Sequence, residues 1–288
     1  MTGSASEPWE EIAATVRRHD ADRYIATLYA PQGLRADLWA VYALAAELAQ
    51  VPELVSQSSL GEIRLEWWRQ TLDRMAQGRN QAARHPVVEA LRPLVGAHPI
   101  VTAWLRAMVD GRGADLYADP LGDMEALEAY FGATLSLPIR VAIHLTAPDA
   151  EQRFAADAAG HGGVAAGLVR MASHFADVVK RRPELIPLDM AAAHGVTAAE
   201  LGAANKGPAA RAFFAQLVLG AQSHLDRAVE AARNLPPTAL PALLPLAPLR
   251  GDLRLIARRG SRTCRPLRRG ALYRQWSMWR AARRGRII

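Results

Sequence analysis

The chain holds one cysteine, Cys264, so it can form neither an internal disulfide nor a cysteine-based zinc centre. A lone thiol agrees with a reducing compartment. Runs that alternate β-branched and aromatic residues are scarce, while Ala, Leu and Arg, all good helix formers, are abundant; the fold class expected is all-α. The opening MTGSASEPWEEI lacks the basic start and apolar core of a signal peptide. PTALPALLPLAPL (Pro237–Leu249), read as the most apolar stretch, is too short for a bilayer and is broken by prolines. Together these absences predict a cytoplasmic protein, soluble or peripheral on a membrane. No Gly/Ser/Pro linker divides the 288 residues and no repeat of fixed period appears, so one large core is expected.

The net charge of +7 is unevenly spread. Between Gly251 and Ile288, twelve arginines against one acid (Asp252) give +11, which leaves −4 for the first 250 residues. The basicity belongs to the tail.

Leu34, Leu38, Val41, Ala45 and Leu48 recur at spacings of four and three, the apolar face of a buried helix that Pro52 should end or kink. Ser58 or Ser59 is placed to cap a second helix. There Ile63, Trp67, Trp68, Leu72 and Met75 spread round more than one side, which predicts a mostly buried helix. On that helix Glu62, Glu66, Arg69 and Asp73 form a row that reads as a salt-bridged face rather than a metal site. MEALEAYFGATLSLPIRVAIHL predicts a long helix kinked near Pro138, and a second should run from about Glu151 to Val179 through AGHGGVAAG. His161 and His174 fall on that second helix; without an HExxH pattern they read as packing or surface residues. Thr197 and Glu200 have capping-box spacing, and Gly207–Asn234 predicts a long amphipathic helix. Trp67, Trp68 and Trp104 read by default as core.

RYIATLYAP (Arg23–Pro31), AVYAL (Ala40–Leu44), RLEWWR (Arg64–Arg69), HPVVEAL (His85–Leu91), MVDGRGADL (Met108–Leu116), LEAYFGATLSLPIRVA (Leu127–Ala142) and LIPLDMAAAHGV (Leu185–Val196) follow in an order that resembles the squalene/phytoene synthase family, from about Asp20 to Arg250. The resemblance implies an isoprenoid-synthase helical bundle: a polar segment over 1–18, the family-like domain over 19–250, and an Arg/Trp-rich extension over 251–288. In working members, two aspartate-rich motifs on facing helices hold Mg²⁺ ions that bridge to the diphosphates of two prenyl substrates. Mg²⁺ takes oxygen ligands, and carboxylates at i and i+4 project from one helical face. The metal draws charge off the leaving diphosphate, and an apolar cavity shelters the carbocation.

In this chain the first motif's place reads Ala49-Gln50-Val51-Pro52-Glu53, with Glu53 its only acid. Aligned without gaps from Gly163, the second falls on Gly167, Arg170, Ser173, His174 and Val178; Asp177 sits one residue early, about 100° round a helix. Two carboxylates are too few for a trinuclear magnesium cluster, so no metal cofactor is expected. Glu53 and Asp177 are motif remnants or simply solvated helix-end acids. Tyr42, Glu53, Arg170, His174 and Asp177 are the candidate contacts for a retained isoprenoid ligand.

One subgroup shows the same erosion: the complex I (NADH dehydrogenase) assembly factors of the phytoene-synthase type and their bacterial relatives. Its YAF-x-x-E-x-A pattern is matched by Tyr42-Ala43-Leu44 with Glu47 and Ala49. GEIRLEWWR and YRQWSMWRAARRGR (Tyr273–Arg286) match its other hallmarks. This resemblance implies a non-catalytic assembly protein that serves respiratory complex I subunits at the inner membrane. The alternative is a Mg²⁺-dependent transferase joining two prenyl diphosphates. In the tail, Leu272, Trp276 and Trp279 share one helical side, with Arg274, Arg280, Arg283 and Arg284 beside or behind them. That pattern suits an anionic membrane surface or an acidic partner; the competing reading packs the tryptophans on the body. No nucleic-acid module accompanies the charge, so no nucleic acid is expected as a partner.

Overall fold

The computed structural model describes residues 8–55, 57–79, 85–203, 207–260 and 268–287. The first seven residues and Cys264 lie outside them. Among the described residues all regular structure is helical, as the composition predicts. The first half holds α1 (Pro8–His19), α2 (Ala21–Thr27), α3 (Gln32–Leu54), α4 (Ser58–Ala76), α5 (Pro86–Ala97) and α6 (Pro99–Asp110). After a 3₁₀ turn (Gly113–Leu116) come α7 (Met124–Phe131), α8 (Leu137–Thr146), α9 (Gln152–Ser173), α10 (Phe175–Arg181), α11 (Leu188–Ala193) and α12 (Ala198–Gly202). The chain continues with α13 (Pro208–Ala232), α14 (Leu240–Leu243), α15 (Leu249–Arg259) and α16 (Ala271–Arg284).

The core gathers round α3 and α9. In α3 every side chain from Leu38 to Ala45 is buried, and α1, α5 and α8 cover it. The α9 helix packs most extensively on α13, and α8 lies against both α3 and α9. Small residues permit this closeness. A Cβ added at Gly163 would stand 2.1 Å from Ser136 Oγ, and one at Gly167 would meet the Phe131 ring at 2.4 Å.

The stretch Met124–Thr146, not Pro237–Leu249, has the length and apolarity of a membrane span; it is the core helix pair α7–α8. The two are joined by a π-helical turn, Gly132–Ser136, placed just before Pro138, where the single long helix was expected to kink. Pro52 lies inside the last turn of α3, which passes it and stops two residues later at Leu54. Neither Ser58 nor Ser59 caps α4. The helix begins at Ser58 after an extended Gln57 that makes no side-chain cap. Ile63, expected inside, is 65% exposed. The capping box at Thr197 forms, with Glu200 reaching back to the Thr197 N–H at 2.8 Å.

The compositional boundary at residue 250 is not a structural one. α15 packs on α13 and α9, and α16 packs on α2. Met278 and Ala281 of α16 form a separate small core with Ala26 and Leu244. Arg274, expected at the surface, is buried. Its Nε donates to both oxygens of Asp22 at 2.9 and 2.8 Å, and its other nitrogens donate to Asp22 and Asp252. Burial alone would loosen its proton, but the two carboxylates outweigh that and raise its pKa. Arg268 adds a 2.7 Å bond to Asp22.

Candidate functional site

Tyr42, at the middle of α3, is wholly buried, with the Arg23 guanidinium 5.3 Å above its ring. Burial pushes the hydroxyl pKa up to about 12, against the opposing charge of Arg23. Arg23 itself pairs with Asp20 at 3.3 Å and donates to the Leu135 carbonyl of the π turn at 3.3 Å. Tyr42 is thus part of a packed joint between α2, α3 and α7–α8. Further along α3, Ala49 and Glu53 are exposed, and Gln50 donates back to its own helix at Ala46 O.

On the other side, α9 does not continue to Val179 as expected. His174 adopts φ −119° and breaks it, and Ser173 Oγ donates to Val169 O in its last turn. Asp177 therefore sits in the first turn of the separate α10, and the 100° helical phase expected for it from Gly163 does not apply. Arg170 and Asp177 are exposed and His174 is half-buried. The structure brings Tyr42 to the α3–α8 joint, while Glu53, Arg170, His174 and Asp177 lie along α3, α9 and the start of α10. Two hollows stand out: a void of about 10 Å³ lined by Arg140, His144 and Gln152, and an open groove of about 660 Å³ between α2 and α16. None of the five candidate ligand contacts lines either.

The fit of these residues to Mg²⁺ follows from their chemistry. Hard divalent ions take several carboxylates at one place. Glu53 and Asp177, the acids read from the sequence at or beside the two stretches, are each exposed, one near the end of α3 and one in the first turn of α10. Among the described residues no cluster of three or more His, Cys, Asp or Glu is arranged round a common ion. The residues present do not fit the cluster, and no step is derived through it.

Acidic chemistry has been kept elsewhere. Glu47 lies 3.4 Å from His85 Nε2, where the imidazole packs against Trp67 and Trp68. Burial pushes the Glu47 carboxyl up to about 7, with Arg64 pulling down and Glu11 pushing up, and burial lowers His85. Both shifts favour uncharged forms, so the pair is better described as a carboxyl beside an imidazole that both lean neutral than as an ion pair. Asp115 is enclosed by Arg112 at 2.9 Å, Arg182 at 2.8 Å and the Tyr130 hydroxyl at 2.6 Å. Burial works against its charge, but these partners together hold its pKa below the usual range. His161 Nδ1 meets His224 Nδ1 at 3.0 Å, and His224 Nε2 meets Glu128 at 3.2 Å, joining α9, α13 and α7. Sequence reading singled out none of these as sites, although Glu47 and His85 both stand in recognised stretches. An acid among buried apolar neighbours was the available signal for Glu47. The expected surface row on α4 does form: Arg69 reaches Glu66 at 3.4 Å and Asp110 at 2.6 Å, while Asp73 turns to Arg106. His161 is a packing residue, as expected.

The family model described as squalene/phytoene synthase matches residues 16–280. The chain belongs to that family. The match takes in α15 and most of α16, well beyond residue 250. Among curated proteins it is 27% identical over 243 residues to the NADH dehydrogenase (ubiquinone) complex I assembly factor 6 of Homo sapiens, covering 84% of this chain and 72% of that one. The Bos taurus protein of the same name is 26% identical over 241 residues, covering 84% and 71%. Among solved structures, a dehydrosqualene synthase crystallised with ligand superposes with a TM-score of 0.81 at 16% identity, over 96% of this chain and 95% of the other. The squalene synthase HpnC from Alicyclobacillus acidocaldarius gives 0.73 at 17% identity, over 88% and 94%. At such identities the structural likeness establishes the fold, the isoprenoid-synthase bundle that the motifs imply.

Proposed function

We propose that this squalene/phytoene synthase family protein is non-catalytic and serves the assembly of respiratory complex I at the inner membrane, acting through its surface. The observation that carries this reading is the donor set at the two motif positions: two exposed carboxylates on separate helix ends, where the chemistry needs several converging on Mg²⁺. The interior supports it, because Phe131 and Ser136 fill the notches at Gly167 and Gly163. The similarity to assembly factors of complex I supplies the class of partner. A retained isoprenoid ligand, held by Tyr42 and Arg170, is not needed by this reading.

Two measurements test it. Purified protein incubated with farnesyl or geranylgeranyl diphosphate and Mg²⁺ should release no diphosphate. Turnover that Glu53→Ala or Asp177→Ala abolishes would establish the prenyl transferase instead. Affinity capture of the tagged full chain from its own cells should bring respiratory complex I subunits with it. A capture that returns none of them would remove the assembly role.

A further inference from the structure

The groove between α2 and α16 is open and lined largely by exposed apolar side chains, and its two walls come from distant parts of the chain. Ile25, Leu28 and Tyr29 form one side; Leu272, Trp276 and Trp279 form the other. Leu272 is 84% exposed, and Leu28, Tyr29, Trp276 and Trp279 are each exposed by 40% or more. On α16 the residues Leu272, Trp276, Trp279 and Arg283 fall at spacings of four, three and four, a single stripe. The opposite face, with Arg274, Met278 and Ala281, is buried in the body.

The charge round this groove has one sign. Arg280 and Arg283 hold their guanidinium groups 5.2 and 5.3 Å over the rings of Trp276 and Trp279. Arg283, Arg284 and Arg286 are exposed, and α16 contains no acid. The nearby carboxylates are already committed: Asp22 and Asp252 to Arg274, and Asp20 to Arg23. We infer that this face docks on an anionic phospholipid bilayer, with Trp276, Trp279, Leu28 and Tyr29 at the level of the headgroups and upper chains, and the arginines on lipid phosphates. Indole rings favour that depth, and guanidinium groups stacked on them are set at the phosphate layer. Because Arg274 fixes α16 to α2, the docking surface is a rigid relief and not a free basic tail. That is why residues some 250 positions upstream of the tail take part. The inference goes beyond the assembly role and does not require it.

The test uses the full chain and flotation with vesicles of phosphatidylcholine, alone or mixed with phosphatidylglycerol. The protein should float with the mixed vesicles, remain below with the neutral ones, and come off as salt is raised. Trp276→Ser with Trp279→Ser should weaken binding by about tenfold or more, and Leu28→Ser with Tyr29→Ser by a similar order. Arg283→Glu with Arg284→Glu should do the same through charge. All substituted side chains are exposed, and unchanged thermal melts by circular dichroism confirm the fold. Brominated lipid chains should quench tryptophan fluorescence of the unsubstituted protein, a reading that needs no variant. Failure to bind the mixed vesicles overturns the proposal, as does full binding by the double-tryptophan variant. Loss of binding on truncating the tail while the Leu28/Tyr29 variant binds normally would reduce the face to a basic tail. A dimer in solution that the double-tryptophan variant splits would assign the groove to a second copy. Complex I capture is unaffected by these outcomes in vesicles, so either reading can fall alone.

Discussion

Glu53, near the end of α3, and Asp177, in the first turn of α10, are the acids closest to the stretches where the family resemblance implies magnesium ligands, and both stand in solvent. At the α2–α16 corner the reverse holds: Asp22 and Asp252 are 8% and 1% exposed and enclose an arginine that is itself 6% exposed. Asp115 between Arg112 and Arg182 repeats the second pattern. Buried negative charge in this protein is used to tie helices together through guanidinium groups. Each such tie depends on every member being present, because a lone buried charge has no water to replace its partner.

The comparison can be broken most forcefully at Arg274. Arg274→Ala leaves two buried carboxylates without their cation and should cost about 3–5 kcal/mol in chemical denaturation. A loss below about 1 kcal/mol would show that the corner is held by Met278 and Ala281 alone. The seam between α9 and the π turn offers the second test. Gly163→Ala drives a methyl into Ser136 and should cost about 1–3 kcal/mol. Gly160→Ala, one turn earlier on α9 with open space beside it, should instead stabilise by about 0.5–1 kcal/mol. Equal effects at the two positions would mean the seam is not tightly packed.

The Glu47–His85 pair gives a third, smaller effect that depends on pH. The folded pKa of Glu47, about 7, lies above its ordinary 4.5, so the folded state holds an extra proton between them. The stability this contributes is full below pH 4.5 and is lost as pH rises through 7. His85, lowered by burial, acts oppositely, with its contribution present above about pH 6.5 and lost on acidification. Glu47→Gln, which cannot ionise, should therefore be more stable than the parent at pH 8 by about 1–2 kcal/mol, with the gap closing below pH 4.5. A pH-independent difference in melting temperature would contradict the neutral-pair description. The smallest expected change is at the motif remnants: Glu53→Ala and Asp177→Ala should each stay within about 0.5 kcal/mol of the parent. A larger loss at either would show that the acid is held in a structural contact.

Much of the architecture was legible from periodicity and punctuation. The span of α13, the capping box at Thr197 and the ion row through Arg69 all follow from local rules of spacing and backbone chemistry. What escaped depends on neighbours distant in the chain. The break at His174 has no Gly or Pro to announce it. Ile63 looks like a core residue by type, yet its side of α4 faces solvent. Arg274 sits in a row of arginines that look alike, and only the fold shows that it meets Asp22, 252 positions away, while Arg283 and Arg284 meet water. That the two stretches marked by the resemblance offer only Glu53 and Asp177 as acids could be read directly, because it is a matter of which residues are there. Where the retained acids are used could not be read, because their partners lie on other helices.

The distance in sequence between Asp22 and its clamp also sets an order on synthesis. As the chain leaves the ribosome, α2 emerges early with an acid whose final seat does not yet exist. More than two hundred residues must follow before α16 arrives to close over it. Until then the small core of Ala26, Leu244 and Met278 is incomplete. The joining of α16 to α2 therefore waits on all the intervening synthesis, and a bulky substitution on the face of α16 that carries Met278 and Ala281, 0% and 2% exposed, would obstruct it first.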